Sequence, residues 1–215
     1  MCIRDRPIAV TLGFETTVFN ASAFLMGLIG RDSLAAHAVA IQIAALVFMV
    51  PMGIGQAATV RVGIAYGRAD WAGVGRAGWL ALGIGTGFAC CAAALLILAP
   101  RLLVSAFLDL SDPANARTAA LAVSFLAVAA LFQLADAAQA VGAGVLRGVQ
   151  YTRVPMIFAL IGYWVVGIGF GTLLAFPGGM AGVGIWLGLA SGLSAAALLL
   201  VARWSLRDRL RLLPT

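Results

Sequence analysis

The chain has 215 residues, of which 63% are hydrophobic and only 10% are charged, and its formal net charge is +6. Soluble domains carry about a quarter charged residues, so this composition, with a mean hydropathy of +1.05, excludes an ordinary soluble domain and indicates a multi-pass membrane protein. The positive charge comes from arginine alone and forms no basic stripe interleaved with aromatic residues, so we expect no nucleic-acid partner.

The first six residues, Met1–Arg6, do not resemble a signal peptide, because no small-residue cleavage site follows the apolar run after them. We interpret residues 1–6 as a non-native start. We therefore expect that the natural protein has further chain upstream.

Six long apolar segments follow, and each exceeds the roughly 20 residues that a helix needs to cross a bilayer. They cover residues 8–29, 34–66, 74–99, 114–145, 154–176 and 180–204. Because the runs are continuous rather than alternating, they predict helices and not β-barrel strands. We therefore expect an all-α, six-helix membrane bundle over residues 7–204, surrounded by lipid, and a basic cytoplasmic tail over residues 205–215.

A proline and a short connecting stretch modify this plan. Pro51 lies inside the second segment and is expected to kink it, because proline removes a helical hydrogen bond. Residues 101–110, between the third and fourth segments, carry apolar side chains on one side, and we expect them to lie along the membrane interface.

The arginines predict the orientation of the bundle, because cytoplasmic loops are enriched in basic residues. With the N-terminus placed in the cytoplasm, only Arg31, Arg101 and Arg117 fall outside. The cytoplasmic arginines are then Arg4, Arg6, Arg61, Arg68, Arg76, Arg147, Arg153, Arg203, Arg207, Arg209 and Arg211. Both ends of the chain are therefore expected on the cytoplasmic side.

Glycines four residues apart occur on four of the segments and predict smooth faces that let helix backbones approach each other. The pairs are Gly63/Gly67, Gly83/Gly87 and Gly167/Gly171, with a triplet at Gly184/Gly188/Gly192. Two interpretations stay open at this point: helices that slide or rock against each other, and plain close packing.

Two carboxylates, Glu15 and Asp136, lie well inside predicted spans, where acids are costly and commonly functional. Glu15 is nine residues beyond Arg6, and Asp136 is eleven residues before Arg147, which places both about 13–17 Å from the predicted cytoplasmic side. Two acids at one depth on separate helices can face one cavity. There they would tend to retain a proton or hold a cation, because two bare negative charges repel in a low dielectric.

Polar and aromatic residues near these acids are candidates for lining the same cavity. The candidates are Thr11, Phe19, Asn20, Gln42, Gln56, Phe132, Gln133 and Gln139, with Tyr163 and Trp164 as further aromatic faces. Aromatic faces attract organic cations. Because no nucleophile, base and orienting group occur together, we do not predict an enzyme, and the single histidine, His37, cannot build a metal site.

The motifs resemble those of one transporter family. They are, in chain order, GFETTVF, LAAHAVAIQIAALVFMVPMGIGQAATVRVGIAYG, FQLADAAQAVGAGVLRG, GYWVVGIGFG and GVGIWLGLASGLSAAALLL. They resemble the C-terminal half of multidrug and toxic compound extrusion (MATE) transporters, and most closely the NorM-type branch.

The resemblance implies twelve spans in two six-helix lobes, and export of cationic, amphipathic compounds in exchange for Na⁺ or H⁺ across the bacterial inner membrane. It implies that Glu15 and Asp136 belong to the cation-binding region, with no cofactor beyond the coupling ion. Relatives often carry tyrosine four residues before that aspartate, where this chain has Phe132, which keeps the ring but lacks the hydroxyl. The N-terminal lobe is then a missing partner.

Three alternatives remain open from the sequence. One is a half-size transporter that pairs with a second copy, and another is a related flippase for lipid-linked sugars, which would need more cationic side chains in its cavity. The third is a membrane scaffold without transport activity, which has no need of two carboxylates at one depth.

Overall fold

The computed structural model describes residues 5–210, with side chains from Pro7 onward. The predicted non-native start falls mostly outside this range, as do Arg4 and Arg211. Within the described range the chain is helical, and six of its helical segments are long and apolar enough to cross a membrane. The prediction of an all-α, six-helix membrane bundle is therefore confirmed.

The helices follow the six predicted segments closely. They are α1 (Asp5–Ile29), α2 (Arg31–Gly67), α3 (Trp71–Leu98), a short α4 (Pro100–Ser105), α5 (Ala116–Gly148), α6 (Arg153–Leu160), α7 (Gly171–Ala175) and α8 (Ala181–Ser205). A short 3₁₀ turn, Pro113–Asn115, precedes α5. Pro51 lies buried inside α2, which continues past it without a break.

The fifth span contains a feature that hydropathy does not predict. Between α6 and α7, residues Ile161–Phe170 form a π-helix, so the span is a continuous α–π–α rod. A π-helical stretch has a wider turn than an α-helix and is common near functional sites. It also carries Tyr163, which is buried.

Helix α5 is the centre of the bundle and contacts α2, α3 and α8. Its sequence explains this position, because the many alanines and glycines between Ala116 and Gly148 have small side chains that let neighbouring helices approach on several sides. An ion pair of 3.3 Å joins Arg117 near the start of α5 to Asp32 near the start of α2. The beginnings of α2 and α5 therefore lie at the same end of the bundle, as alternating spans require.

Several glycines allow helix backbones to touch. A Cβ atom added at Gly188 would meet the backbone of Gly171 and Gly167, and one at Gly192 would meet Gly162. The glycine faces of the fifth span and of α8 therefore pack directly against each other. By contrast, Gly83 and Gly87 on α3 have nothing within 4 Å of an added Cβ, so that predicted pair faces open space and not a neighbouring helix.

A second backbone contact joins α2 to α5. A Cβ at Gly144 would meet the Gly55 carbonyl group, and one at Gly55 would lie 2.9 Å from the Ala140 carbonyl oxygen. The Thr59 hydroxyl bridges the two helices, donating to the carbonyl oxygens of Gly55 and Gly144 at 2.9 Å each. Gly55 and Ala140, which meet at this crossing, also line a cleft between the helices.

Candidate functional site

Glu15, on α1, lies between two adjoining clefts. The first, which we call the acid cleft, has a volume of about 300 Å³ and is lined by Glu15, Phe19, Ile41, Gln42, Ala44, Ala45, Phe48, Phe132 and Asp136. The second, the arginine cleft, has a volume of about 380 Å³ and is lined by Thr11, Leu12, Glu15, Thr16, Phe19, Phe48, Met52, Gly55, Gln56, Gln139, Ala140, Ala143 and Arg147. Because Glu15, Phe19 and Phe48 line both, the two clefts form one continuous site.

The two predicted acids meet in the acid cleft. Asp136 is 4% exposed and lies on α5, while Glu15 is half-buried on α1. Both side chains line the acid cleft. Within residues 7–210, neither carboxyl group forms an ion pair. Their oxygens therefore remain available to a proton, a metal cation or an organic cation.

Arg147 is a functional candidate that the sequence interpretation missed, because it was counted only as a marker of the cytoplasmic side. Its half-buried side chain lines the arginine cleft together with Glu15, so this cleft holds one positive and one negative side chain. The signal was present in the sequence: Arg147 follows Asp136 by eleven residues, about three turns at 3.6 residues per turn, which puts both on one face of α5.

Six of the eight predicted lining residues border the two clefts. Phe19, Gln42 and Phe132 line the acid cleft, and Thr11, Gln56 and Gln139 line the arginine cleft. Their roles in binding stay predictions.

Two predicted residues lie elsewhere. Asn20 is exposed on α1, about 140° around the helix from Glu15 at 100° per residue. Gln133 is buried, and its side-chain nitrogen donates to the Ala44 carbonyl oxygen at 3.1 Å. Gln133 therefore ties α5 to α2 behind the acid cleft and borders neither cleft.

The apolar end of the acid cleft is built from aromatic rings that contact one another. Phe19 and Phe132 meet edge to face with ring centroids 6.2 Å apart, and Phe132 meets Trp186 at 5.7 Å. His37 lies behind Trp186 at 5.6 Å, and its Nε2 is 3.4 Å from the Ser22 hydroxyl. These contacts hold the two phenyl rings in place beside the acids.

Tyr163, from the π-helical stretch, brings a phenol group close to the same acids. It is 1% exposed, and its hydroxyl has no hydrogen-bond partner among the described residues. It belongs to the same buried cluster as Phe132, whose ring lines the acid cleft beside Glu15 and Asp136. The hydroxyl that Phe132 lacks is thus present on a different helix, at a position that the sequence interpretation treated only as an aromatic face.

The arrangement suits a small hard cation or a proton and also an organic cation. Carboxylate oxygens and the Gln42 side-chain oxygen are ligands of the kind that hard cations prefer. The faces of Phe19 and Phe132 add favourable contacts for a cation that carries apolar groups. Because one set of acids would serve both kinds of cation, their binding would be competitive.

The chain is similar to known proteins in both sequence and fold. Residues 7–173 match the MatE family. The chain is 61% identical over 204 residues to a probable multidrug resistance protein NorM of Mesorhizobium japonicum, covering 95% of this chain and 44% of that protein. It is 56% identical over 198 residues to a probable NorM of Brucella suis, covering 92% and 42%.

Among solved structures, the fold is similar to the eukaryotic MATE transporter AtDTX14. The TM-score is 0.81 at 21% identity, and the alignment covers 98% of this chain and 48% of that one. The chain therefore spans a little under half the length of the relatives that it matches.

Proposed function

The chain belongs to the MatE family, and from this premise we propose that it forms the C-terminal lobe of a cation-coupled antiporter that exports cationic, amphipathic compounds. The coupling ion is Na⁺ or H⁺, and the membrane is the bacterial inner membrane with both ends of this chain in the cytoplasm. The observation that carries the proposal is the acid cleft, in which Glu15 and Asp136 lie beside the rings of Phe19 and Phe132.

In this mechanism the coupling ion and the exported compound compete for the same two carboxylates. A compound that carries positive charge and apolar groups enters the acid cleft, contacts the phenyl rings and neutralises the acids. Arrival of Na⁺ or H⁺ from outside removes the attraction that holds the compound and favours its release. Each occupant stabilises a different access state, so that binding shifts the equilibrium between them.

A second lobe from the same protein is the partner that we propose for the cleft-bearing side. The matched relatives are more than twice as long as this chain, which covers 44% of the Mesorhizobium NorM. The proposal therefore favours a second six-helix lobe over self-pairing of a half-size transporter. Rocking of the two lobes about the clefts would alternate access between the two sides of the membrane.

The charge of the clefts argues against the other two alternatives. A flippase for an anionic lipid-linked sugar would be served by several cationic side chains, whereas two acids and one arginine line these clefts. A scaffold without transport activity has no use for two carboxylates that line one cleft within predicted membrane spans.

The proposal is tested by efflux from cells that lack their own multidrug pumps and express the complete reading frame. Glu15→Gln and Asp136→Asn keep the side-chain shape and remove the charge, so both should abolish ion-dependent export of a fluorescent organic cation. Asp208→Asn is the matched control, because Asp208 is an exposed acid near the end of α8. Wild-type, ion-dependent efflux in both cleft variants would refute the proposal.

A further inference from the structure

A third concave surface lies on α2 and α3, away from the acids. We call it the α2–α3 groove; it has a volume of about 390 Å³ and is lined by Ile54, Ala57, Ala58, Arg61, Ala77, Leu80, Ala81 and Ile84. Helices α2 and α3 are joined by a short turn between Gly67 and Trp71, so they run antiparallel. Residues equally far from this turn therefore lie at about the same height, as Ile54 and Ile84 do, and likewise Arg61 and Ala77. The groove is therefore an apolar channel with a single guanidinium at one end.

The groove faces away from the two clefts. Two different faces of α2 are involved. The clefts are lined by Phe48, Met52, Gly55 and Gln56, and the groove is lined by Ile54, Ala57, Ala58 and Arg61. At 100° per residue the centres of these two faces lie about 150° apart around the helix. The wall on α3 is open, since Leu80 is 65% exposed. In a membrane, an apolar surface of this kind meets lipid chains.

The arginine end of the groove carries uncompensated positive charge. Arg61 is exposed and forms no ion pair within residues 7–210. Arg68 and Arg76 are also exposed around the α2–α3 turn. The acid of this turn, Asp70, is engaged elsewhere, because its Oδ1 accepts a hydrogen bond of 2.8 Å from the Gly73 backbone N–H and caps α3.

The position of Arg61 places its charge within reach of the membrane surface. It lies six residues before the end of α2 at Gly67, about 9 Å along the helix axis. Arginine side chains near helix ends extend toward the interface while their aliphatic part stays among apolar groups. The guanidinium can therefore meet a lipid headgroup while the groove below it holds hydrocarbon.

We propose that the α2–α3 groove binds one anionic phospholipid, with its phosphate on Arg61 and the upper part of one acyl chain along Ala57, Ala58 and Ala81. Arg61 lies seven residues after Ile54 on α2, which gives the groove a length of about 10 Å and fits the first part of a chain. The alanines leave the space that the chain fills. Basic pockets between helices on the cytoplasmic side are a known kind of site for anionic headgroups.

The test is native mass spectrometry of the protein expressed from its complete reading frame and released from detergent, with phosphatidylglycerol and phosphatidylcholine as probes. The wild type should retain one phosphatidylglycerol in preference to phosphatidylcholine. Arg61→Gln should weaken phosphatidylglycerol binding about fivefold, the contribution of one arginine near an anionic lipid, and leave phosphatidylcholine binding unchanged. Arg61→Lys, which keeps the positive charge, should retain most of the phosphatidylglycerol binding.

A second variant tests the apolar part of the groove. Ala57→Trp fills it and should weaken binding of both lipids at this site, whereas Ala127→Trp, at an exposed alanine of α5, should not. Arg153→Gln is the matched charge control, since Arg153 is exposed at the start of α6.

Three results would overturn the proposal. They are unchanged phosphatidylglycerol retention in Arg61→Gln, an equal loss in Arg153→Gln, and an equal effect of the two tryptophan variants.

Discussion

The contact between Gly55 and Gly144 should be intolerant of a single added methyl group. A Cβ at position 144 would overlap the Gly55 carbonyl oxygen, and it would lie 2.8 Å from the carbonyl carbon and 2.9 Å from the Cα of Gly55, where ordinary contact begins at 3.4 Å. Because the oxygen is the closest of these atoms, helices α2 and α5 would have to separate by more than about half an ångström at their crossing. The Gly55 atoms that the methyl group would meet belong to the backbone of a long, packed helix, so no flexible side chain can move aside.

The magnitude follows from two opposing effects. Overpacking of this kind costs about 1–3 kcal/mol, and loosening the hydrogen bond from Thr59 to the Gly144 carbonyl oxygen adds a part of the roughly 0.5–1.5 kcal/mol that such a bond contributes. Alanine regains about 1 kcal/mol over glycine in a helix interior. We expect Gly144→Ala to lower the free energy of unfolding by about 1–3 kcal/mol.

The assay is SDS titration of the purified protein, which measures the free energy of unfolding. Gly83→Ala is the matched control, because an added Cβ there meets nothing within 4 Å. It should be neutral or should stabilise the protein by up to about 1 kcal/mol. If Gly144→Ala and Gly83→Ala have the same effect, the helices are not in backbone contact at this crossing and the reasoning fails.

Two further predictions concern the clefts. Arg147→Gln removes a positive charge beside Glu15, so it should tighten binding of a fluorescent organic cation roughly three- to tenfold. Arg153→Gln is the control and should leave the dissociation constant unchanged. An unchanged or higher dissociation constant in Arg147→Gln would contradict the placement of Arg147. Tyr163→Phe removes a buried hydroxyl that has no partner, a group that costs about 1–3 kcal/mol, so the SDS titration should show equal or higher stability. The same variant should raise the coupling-ion concentration for half-maximal efflux at least about threefold, and an unchanged ion dependence would show that this hydroxyl does not serve the ion.

Much of the site was predictable because the depth of a residue in the membrane follows from its position along a spanning helix. A constant rise per residue places Glu15 and Asp136 at one level once the spans are known, and the structure brings both to the acid cleft. The same periodicity could have assigned Arg147 to the Asp136 face of α5, but its position near a helix end suggested a topological role instead. Here the sequence held the information and the interpretation did not use it.

Other features depend on how helices are rotated against each other. Gln133 lies only three residues from Asp136, yet its amide turns to the Ala44 carbonyl oxygen on α2. The glycine pairs of α3 and of α8 have the same spacing, but only those of α8 meet another backbone. Spacing marks a smooth face on one helix and carries no information about which neighbour, if any, covers it.

The sequence by itself determined the environment, the number of spans and the depth of the two acids. These follow from hydrocarbon thickness and from the need of each spanning segment to satisfy its own backbone. The tertiary structure decided which residues share a cleft, that Arg147 joins Glu15, that Tyr163 brings its hydroxyl close to the acids, and that α2 and α3 leave a groove. The physical reason is that the rotation of one helix against another depends on packing between segments far apart in the chain.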